Sequence, residues 1–139
     1  MATDNPYSTY LENKVMSSSK EELTLMLYDG ALKFCNQAIS ALQKKEIEKA
    51  GGLIIRVENI IREFQLTLDR NYDVSKYFDT MYEYLHRRLI DANMEKSVAI
   101  LEEVRGLLRE FRDIWADVIK TVRHQEHPAD PMAAANKIK

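Results

Sequence analysis

The sequence has few of the residues that interrupt a helix or cross-link a chain: one cysteine, three prolines and four glycines in 139 residues. The prolines, Pro6, Pro128 and Pro131, lie near the two ends, so none of them breaks a helix in the long middle section. Cys35 has no partner for an internal disulfide, and it falls among apolar residues at helical spacing. We therefore expect a buried free thiol, which is typical of a reducing compartment.

Charge and hydropathy exclude two further classes of partner. The 20 basic and 22 acidic residues nearly balance, so no excess of positive charge indicates nucleic acid or an anionic membrane. No apolar run is long enough to cross a membrane, and no signal-peptide core stands at the N-terminus. The sequence therefore predicts a cytoplasmic protein without membrane insertion.

Apolar residues recur at the 3.6-residue helical period through four segments of the chain. Ser19 and Glu22 have the spacing of a capping box, which predicts that the first helix begins near Ser19. The predicted boundaries are Ser19 to Lys44-Lys45 for the first helix, about Glu46 to Leu68 for the second, Asp73 or Ser75 to a cap at Asn93 for the third, and a start near Glu95 for the fourth.

Short connections between these helices force neighbours to be antiparallel. The sequence therefore predicts an all-α fold, an antiparallel up-down four-helix bundle at residues 19–124. An N-terminal arm at residues 1–18 precedes the bundle, and a disordered C-terminal tail at residues 125–139 follows it. The residues expected in the core are Leu23, Leu27, Phe34, Ile61, Leu85, Leu101 and Trp115.

More residues are apolar than one buried face per helix requires. Ile55 and Leu66 fall on the polar side of the second helix, and Ile100 and Leu107 belong to a partial second stripe on the fourth. Wide stripes that pack against two neighbours explain most such residues in a small bundle. Apolar patches beyond a few hundred Å² nevertheless tend to mark interaction surfaces, so we expect these four residues to bind a partner.

Two arginines are candidates for polar contacts with that partner. Arg87 and Arg88 are consecutive on the third helix, where either side chain could anchor polar groups of a bound chain. Glu83 and Asp91 are at helical spacing from them, so a purely structural ion pair is the alternative.

The residue set does not support catalysis. A di-iron bundle needs a Glu-x-x-His pair on each of two helices, and Glu83 with His86 is the only such pair. His124 and His127 are three residues apart, so they do not match the H-E-x-x-H zinc motif, and no glycine-rich phosphate loop is present. We therefore expect no enzymatic activity, no metal and no cofactor.

Two long stretches carry a more specific signature. Residues 19–31, SKEELTLMLYDGA, resemble the S-P-x-E-L-x-x-M-L-Y-D-G-A first helix of the FliS family of flagellar export chaperones. Residues 81–93, MYEYLHRRLIDAN, resemble its L-Y-D-Y-M-x-R-R-L-I-E-A-N third helix. The segment from Asn5 to Tyr10 is similar to the family's N-P-Y-x-x-Y, and residues 111–115 to its R-D-x-W. Lys20 in place of proline and the absence of an E-K-G-G turn at residues 71–76 are departures.

The resemblance implies a chaperone of the bacterial cytosol. Family members bind the disordered C-terminal segment of flagellin, prevent its premature polymerisation and deliver it to the type III export gate. The resemblance also suggests that Tyr7, Tyr10 and Leu11 cover the client groove when it is empty. The alternative is a self-associating regulatory or structural bundle without an unfolded client, whose dimer would bury Ile55, Leu66 and Ile100. We expect a monomer or a weak homodimer.

Overall fold

The computed structural model describes residues 19–126, with side chains described as far as Thr121. Within this range the chain forms four helices: α1 (Lys20–Gln43), α2 (Ile47–Thr67), α3 (Val74–Glu95) and α4 (Val98–Glu126). Helices α1 and α3 each pack against both α2 and α4. The all-α bundle predicted from the sequence is confirmed, with α1 and α3 on one diagonal and α2 and α4 on the other.

The predicted start of the first helix is confirmed in its hydrogen bonding. The Ser19 hydroxyl accepts a hydrogen bond from the backbone N–H of Glu22 at 3.1 Å. This bond satisfies one of the four N–H groups that the first turn of a helix leaves unpaired.

The turn between α2 and α3 differs from the prediction. Asp73 precedes the helix, but its side chain makes no capping hydrogen bond. Ser75 is buried, and its hydroxyl donates to the carbonyl oxygen of Asp69. The Asp69 carboxylate in turn accepts from the backbone N–H of Asn71 at 3.0 Å. Side chains therefore organise the turn around Asp69 instead of capping α3.

The turn between α3 and α4 also begins later than predicted. Asn93 lies inside α3, which ends at Glu95 and is followed by the C-cap residue Lys96, in the left-handed region with φ of 50°. The Lys96 ammonium donates to both the backbone and side-chain oxygens of Asn93 at 2.7 Å. Ser97 then accepts from the backbone N–H of Ile100 at 3.1 Å, so α4 starts after Ser97.

The core runs the length of the bundle and contains three of the seven residues predicted for it. Ile61, Leu85 and Leu101 are completely buried. Leu27, Phe34 and Trp115 are only partly buried and pack against the outside of the core, and Leu23 is also partly exposed. A second apolar stripe on α1 runs beside the one that carries Leu23, Leu27 and Phe34. Its fully or nearly fully buried members are Tyr28, Cys35, Ile39 and Leu42.

Candidate partner-binding surface

Large apolar side chains are exposed mainly on α2 and α3. Ile55 is 50% exposed and Leu66 is 75% exposed, as their off-stripe positions predict. They are eleven residues apart, which is about three helical turns, so both side chains project from the same side of α2. Two aliphatic side chains on one side of α2 are therefore exposed to solvent and lie outside the buried core.

The register between α2 and α3 places a third aliphatic residue at the level of Ile55. A Cβ added to Gly51 would lie 3.4 Å from the Asn93 side chain, and Arg70 pairs with Asp79 at 3.2 Å at the other end. Ile90, three residues before Asn93, is therefore at about the level of Ile55, four residues after Gly51. Ile90 is 39% exposed. We call Ile55, Leu66 and Ile90 the α2–α3 face.

Sequence reasoning did not single out Ile90, although a signal for it exists. The buried stripe of α3 includes Phe78, Tyr82, Leu85 and Leu89 at helical spacing. Ile90 falls outside this stripe in the same way that Ile55 falls outside the stripe of α2. A search of the third helix for apolar residues outside its main stripe would have identified Ile90.

The two α4 residues predicted for partner binding are placed differently. Ile100 is only 9% exposed and belongs to the core, so the expectation that it lies on an open surface is wrong. Leu107 is partly buried and packs against the core. The physical reason is that α4 packs on both α1 and α3, so these two neighbouring helices together bury its wide apolar stripe.

Arg88 is held inside a structural network that joins α3 to α4. Its guanidinium lies 2.8 Å from the Glu103 carboxylate and 3.1 Å from that of Asp91. The hydroxyl of Tyr84 donates to the other oxygen of Glu103 at 2.5 Å. The hydrogen bonds from Tyr84 and Arg88 lower the pKa of Glu103, so this carboxylate stays charged. The alternative of structural ion pairs therefore holds for Arg88, with Asp91 and Glu103 as partners.

Arg87 is in a different environment. Its guanidinium lies over the ring of Tyr84, 5.8 Å from the ring centroid, and the side chain is exposed. It makes no ion pair with another described side chain. The two consecutive arginines therefore differ in availability, because only Arg87 is left without a carboxylate partner in the described part of the chain.

A second exposed apolar area lies at the end of the bundle where α2 turns into α3. Tyr77 is 51% exposed, and its ring stands edge-on to Phe78 and Phe111 at centroid distances of 5.7 and 6.3 Å. Tyr72, Val74 and Ile114 are also exposed. The candidate residues Tyr7, Tyr10 and Leu11, as well as the predicted C-terminal tail, fall outside the described residues.

The described part of the chain also bears on metal and membrane binding. Among the side chains of residues 19–121, no group of three or more His, Cys, Asp or Glu is placed to hold a metal ion. None of the helices within residues 19–126 is both long enough and apolar enough to cross a membrane.

Comparisons with known proteins match most of the chain. The family described as flagellar protein FliS matches residues 3–122. The flagellar secretion chaperone FliS of Bacillus subtilis (strain 168) is 39% identical over 133 residues, which cover 96% of this chain and 100% of the relative. The flagellar secretion chaperone FliS of Escherichia coli (strain K12) is 31% identical over 110 residues, covering 77% of this chain and 81% of the relative. The chain therefore belongs to the FliS family of flagellar secretion chaperones.

Proposed function

We propose that this protein binds the disordered C-terminal segment of flagellin in the bacterial cytosol. Binding prevents premature polymerisation, and the loaded complex delivers flagellin to the export gate for type III secretion. The observation that carries the proposal is the α2–α3 face, since Ile55 and Leu66 are at least half exposed in an otherwise well-packed bundle. Burying such side chains under a partner contributes about 1.5–3 kcal/mol each when burial is complete.

A disordered client suits this surface better than a folded one. The exposed side chains are spread along about three turns of α2 and across to α3, which an extended or helical segment can follow. The client loses conformational entropy when it becomes ordered, at a cost of about 2–5 kcal/mol, which limits the affinity and keeps the complex reversible. Delivery to an export system requires that reversibility.

The alternative function, a self-associating bundle without a client, has less support. Its expected dimer surface includes Ile100, which is buried within the protomer. Only Ile55 and Leu66 of the three residues remain available for such a contact. We therefore infer a monomer or a weak homodimer that uses the same face as the client.

The N-terminal arm is proposed to cover this face when no client is bound. Gly30 and Ile60 approach each other, since a Cβ on Gly30 would lie 3.9 Å from Ile60. This antiparallel contact places Ile55 about 24 Å from Ser19 along the bundle axis. Leu11 is eight residues before Ser19, and at full extension it spans only about 26 Å. Leu11 is therefore suited to cover Leu66, which lies close to the start of α1. Tyr7 is farther from Ser19 in the sequence, so the chain between them is long enough to reach Ile55.

Calorimetric titration with a synthetic peptide of about forty residues from the C-terminus of the cognate flagellin tests the proposal. We expect saturable one-to-one binding with a large negative heat-capacity change, because apolar surface is buried. Flat heats at several temperatures, with folded protein, would reject a flagellin client. Sedimentation in the same buffer then decides whether a persistent dimer exists.

Deletion of residues 1–16 tests the role of the arm separately. If the arm competes with the client, its removal raises the apparent affinity for the flagellin peptide and lowers the solubility of the empty protein. An unchanged affinity together with unchanged solubility would contradict the covering role and leave client binding intact.

A further inference from the structure

The outer surface of α3 has a depression that the core does not use. It has a volume of about 490 Å³ and is lined by Tyr84, Arg87, Arg88, Ile90 and Asp91. It adjoins the α2–α3 face, because Ile90 belongs to both. A chain that buries Ile90 therefore passes directly beside the two arginines.

The two arginines beside this depression differ in their ion pairing. Arg88 donates to Glu103 and to Asp91, so two carboxylates surround its positive charge. Arg87 makes no ion pair among the described side chains, although Glu83 lies one helical turn before it. Arg88 with Asp91 and Glu103 carries a net charge of −1, and Arg87 brings the cluster to zero. Any attraction for an anion therefore comes from the Arg87 guanidinium itself, whose charge has no carboxylate partner among the described side chains.

The Arg87 side chain lies over an aromatic ring when no ligand is bound. Its guanidinium lies 5.8 Å from the centroid of the Tyr84 ring, and Glu103 fixes that ring by accepting from its hydroxyl at 2.5 Å. A cation held over an aromatic face loses less rotamer freedom on binding than a fully mobile side chain does. The planar guanidinium keeps its N–H donors available for a planar, two-oxygen acceptor.

We propose that this depression binds a carboxylate of the client chain through Arg87, while an apolar side chain next to that carboxylate packs against Ile90. This inference rests on the proposed flagellin client and specifies one of its anchoring groups. The carboxylate belongs either to an Asp or Glu side chain or to the C-terminal end of the client. Arg88 has a different role, since it holds Tyr84 and Glu103 in place beneath the contact.

The test uses the full-length protein with the flagellin C-terminal peptide at low and physiological salt. Arg87→Gln removes the charge and is expected to weaken binding about three- to tenfold. Arg87→Lys keeps the charge, so it should bind the peptide more tightly than Arg87→Gln but less tightly than the wild type. Arg56→Gln is the matched control, since Arg56 is also exposed and lies over an aromatic ring, 5.3 Å from the centroid of Phe34. We expect Arg56→Gln to bind as the wild type does.

Peptide variants identify the carboxylate. One variant carries a C-terminal amide, and each of the others carries a single Asp→Asn or Glu→Gln substitution. The proposal predicts that one of these peptides binds the wild-type protein more weakly than the unmodified peptide does. The same peptide change should cause no further loss of affinity in Arg87→Gln, because the partner of that carboxylate is already missing. The amidated peptide points to the chain end, and any other peptide points to a side chain.

Two results would overturn the inference. Arg87→Gln could bind as tightly as the wild type, or it could weaken every peptide by the same factor, which indicates only a general charge effect. If the wild-type protein binds no flagellin peptide at all, the proposed function fails instead. Circular dichroism of Arg87→Gln confirms that the variant is folded before binding is compared.

Discussion

The hydroxyl oxygens of Tyr28 and Tyr82 lie 2.5 Å apart inside the bundle. Tyr28 is on α1 and Tyr82 on α3, so a hydrogen bond joins the two helices across the diagonal of the bundle. Both rings also stack on Phe64 of α2, at centroid distances of 4.3 and 5.4 Å. Three helices therefore meet in one aromatic cluster with a polar pair at its centre.

Removing one hydroxyl of this pair is expected to cost more than removing both. Tyr28→Phe or Tyr82→Phe leaves the other hydroxyl buried without its partner, which destabilises the fold by about 1–3 kcal/mol. The double variant loses the whole pair and should be less destabilised than either single variant. Urea denaturation measures all three values.

Tyr77→Phe is the control for the tyrosine pair, because Tyr77 is half exposed. Its stability should stay within about 0.5 kcal/mol of the wild type. Strictly additive effects of Tyr28→Phe and Tyr82→Phe would show that the two hydroxyls do not depend on each other.

Stability should decline in alkaline solution because three buried groups resist losing their protons. Burial raises the pKa of Tyr28 and of Tyr82, and it raises the pKa of Cys35 to about 11 from an ordinary value of 9.0. A group whose pKa is higher in the folded state contributes stability below its unfolded pKa and loses that contribution as the pH rises toward the folded value. From Cys35 alone we expect a loss of about 2–3 kcal/mol between pH 9 and 11.

Urea denaturation at pH 7.5, 9 and 10.5 measures this decline. Cys35→Ala should lower stability at all three values but flatten the slope above pH 9. The native thiol should also react slowly with alkylating reagents at pH 8, since it is buried and protonated. Fast alkylation of the folded protein would contradict the buried position.

The α2–α3 face should contribute more to flagellin binding than to folding. Leu66→Ser removes a mostly exposed side chain, so stability should change by no more than about 0.5 kcal/mol, whereas Ile55→Ser and Ile90→Ser remove half-buried side chains and should cost about 1 kcal/mol each. Affinity for the flagellin peptide should fall about tenfold per substitution if the client buries these residues.

Ile100→Ala provides the opposite case for this comparison. Because Ile100 is buried, its truncation should cost about 2–5 kcal/mol of stability and leave the affinity of the remaining folded protein unchanged. If the serine variants lose stability but keep their affinity for the peptide, these residues belong to the core and not to the binding surface.

Gly51 and Gly52 offer a matched pair of substitutions in the first turns of α2. A Cβ at Gly52 would meet no atom within 4 Å, so Gly52→Ala should stabilise the protein by about 0.5–1 kcal/mol through helix propensity. At Gly51 the Cβ would lie 3.4 Å from Asn93 Oδ1 and 3.6 Å from Lys96 Nζ. Gly51→Ala should therefore gain less than Gly52→Ala, and thermal denaturation ranks the two variants.

Helical period and capping chemistry were sufficient to predict the four helices. The start of α1 followed from Ser19 and Glu22, because a capping interaction is local and needs only a few consecutive residues. The α3–α4 turn was missed by a few residues, because Asn93 fits a cap by residue type alone. Lys96 takes the left-handed position instead, and its ammonium binds the Asn93 oxygens.

Which apolar stripe is buried depended on packing between helices. Leu27 and Phe34 have the same spacing as Tyr28 and Cys35 and are at least as hydrophobic, so sequence pattern alone does not favour the stripe with Tyr28 and Cys35. The position of α1 against α2 and α4 decides that Tyr28 and Cys35 are buried. Likewise Ile55 and Ile100 are both off-stripe isoleucines, but Ile100 belongs to the buried core of a helix that packs against both α1 and α3.

Composition and local spacing were enough for the fold class, the start of the first helix and the family resemblance, because these depend on residues close together in the chain. Tertiary structure decided that Arg88 is paired and Arg87 is not, since Glu103 on another helix makes the difference. It also brought Ile90 beside Ile55. A surface shared by two helices depends on their relative rotation and register, and contacts between residues distant in the sequence, such as Gly51 with Asn93, set both.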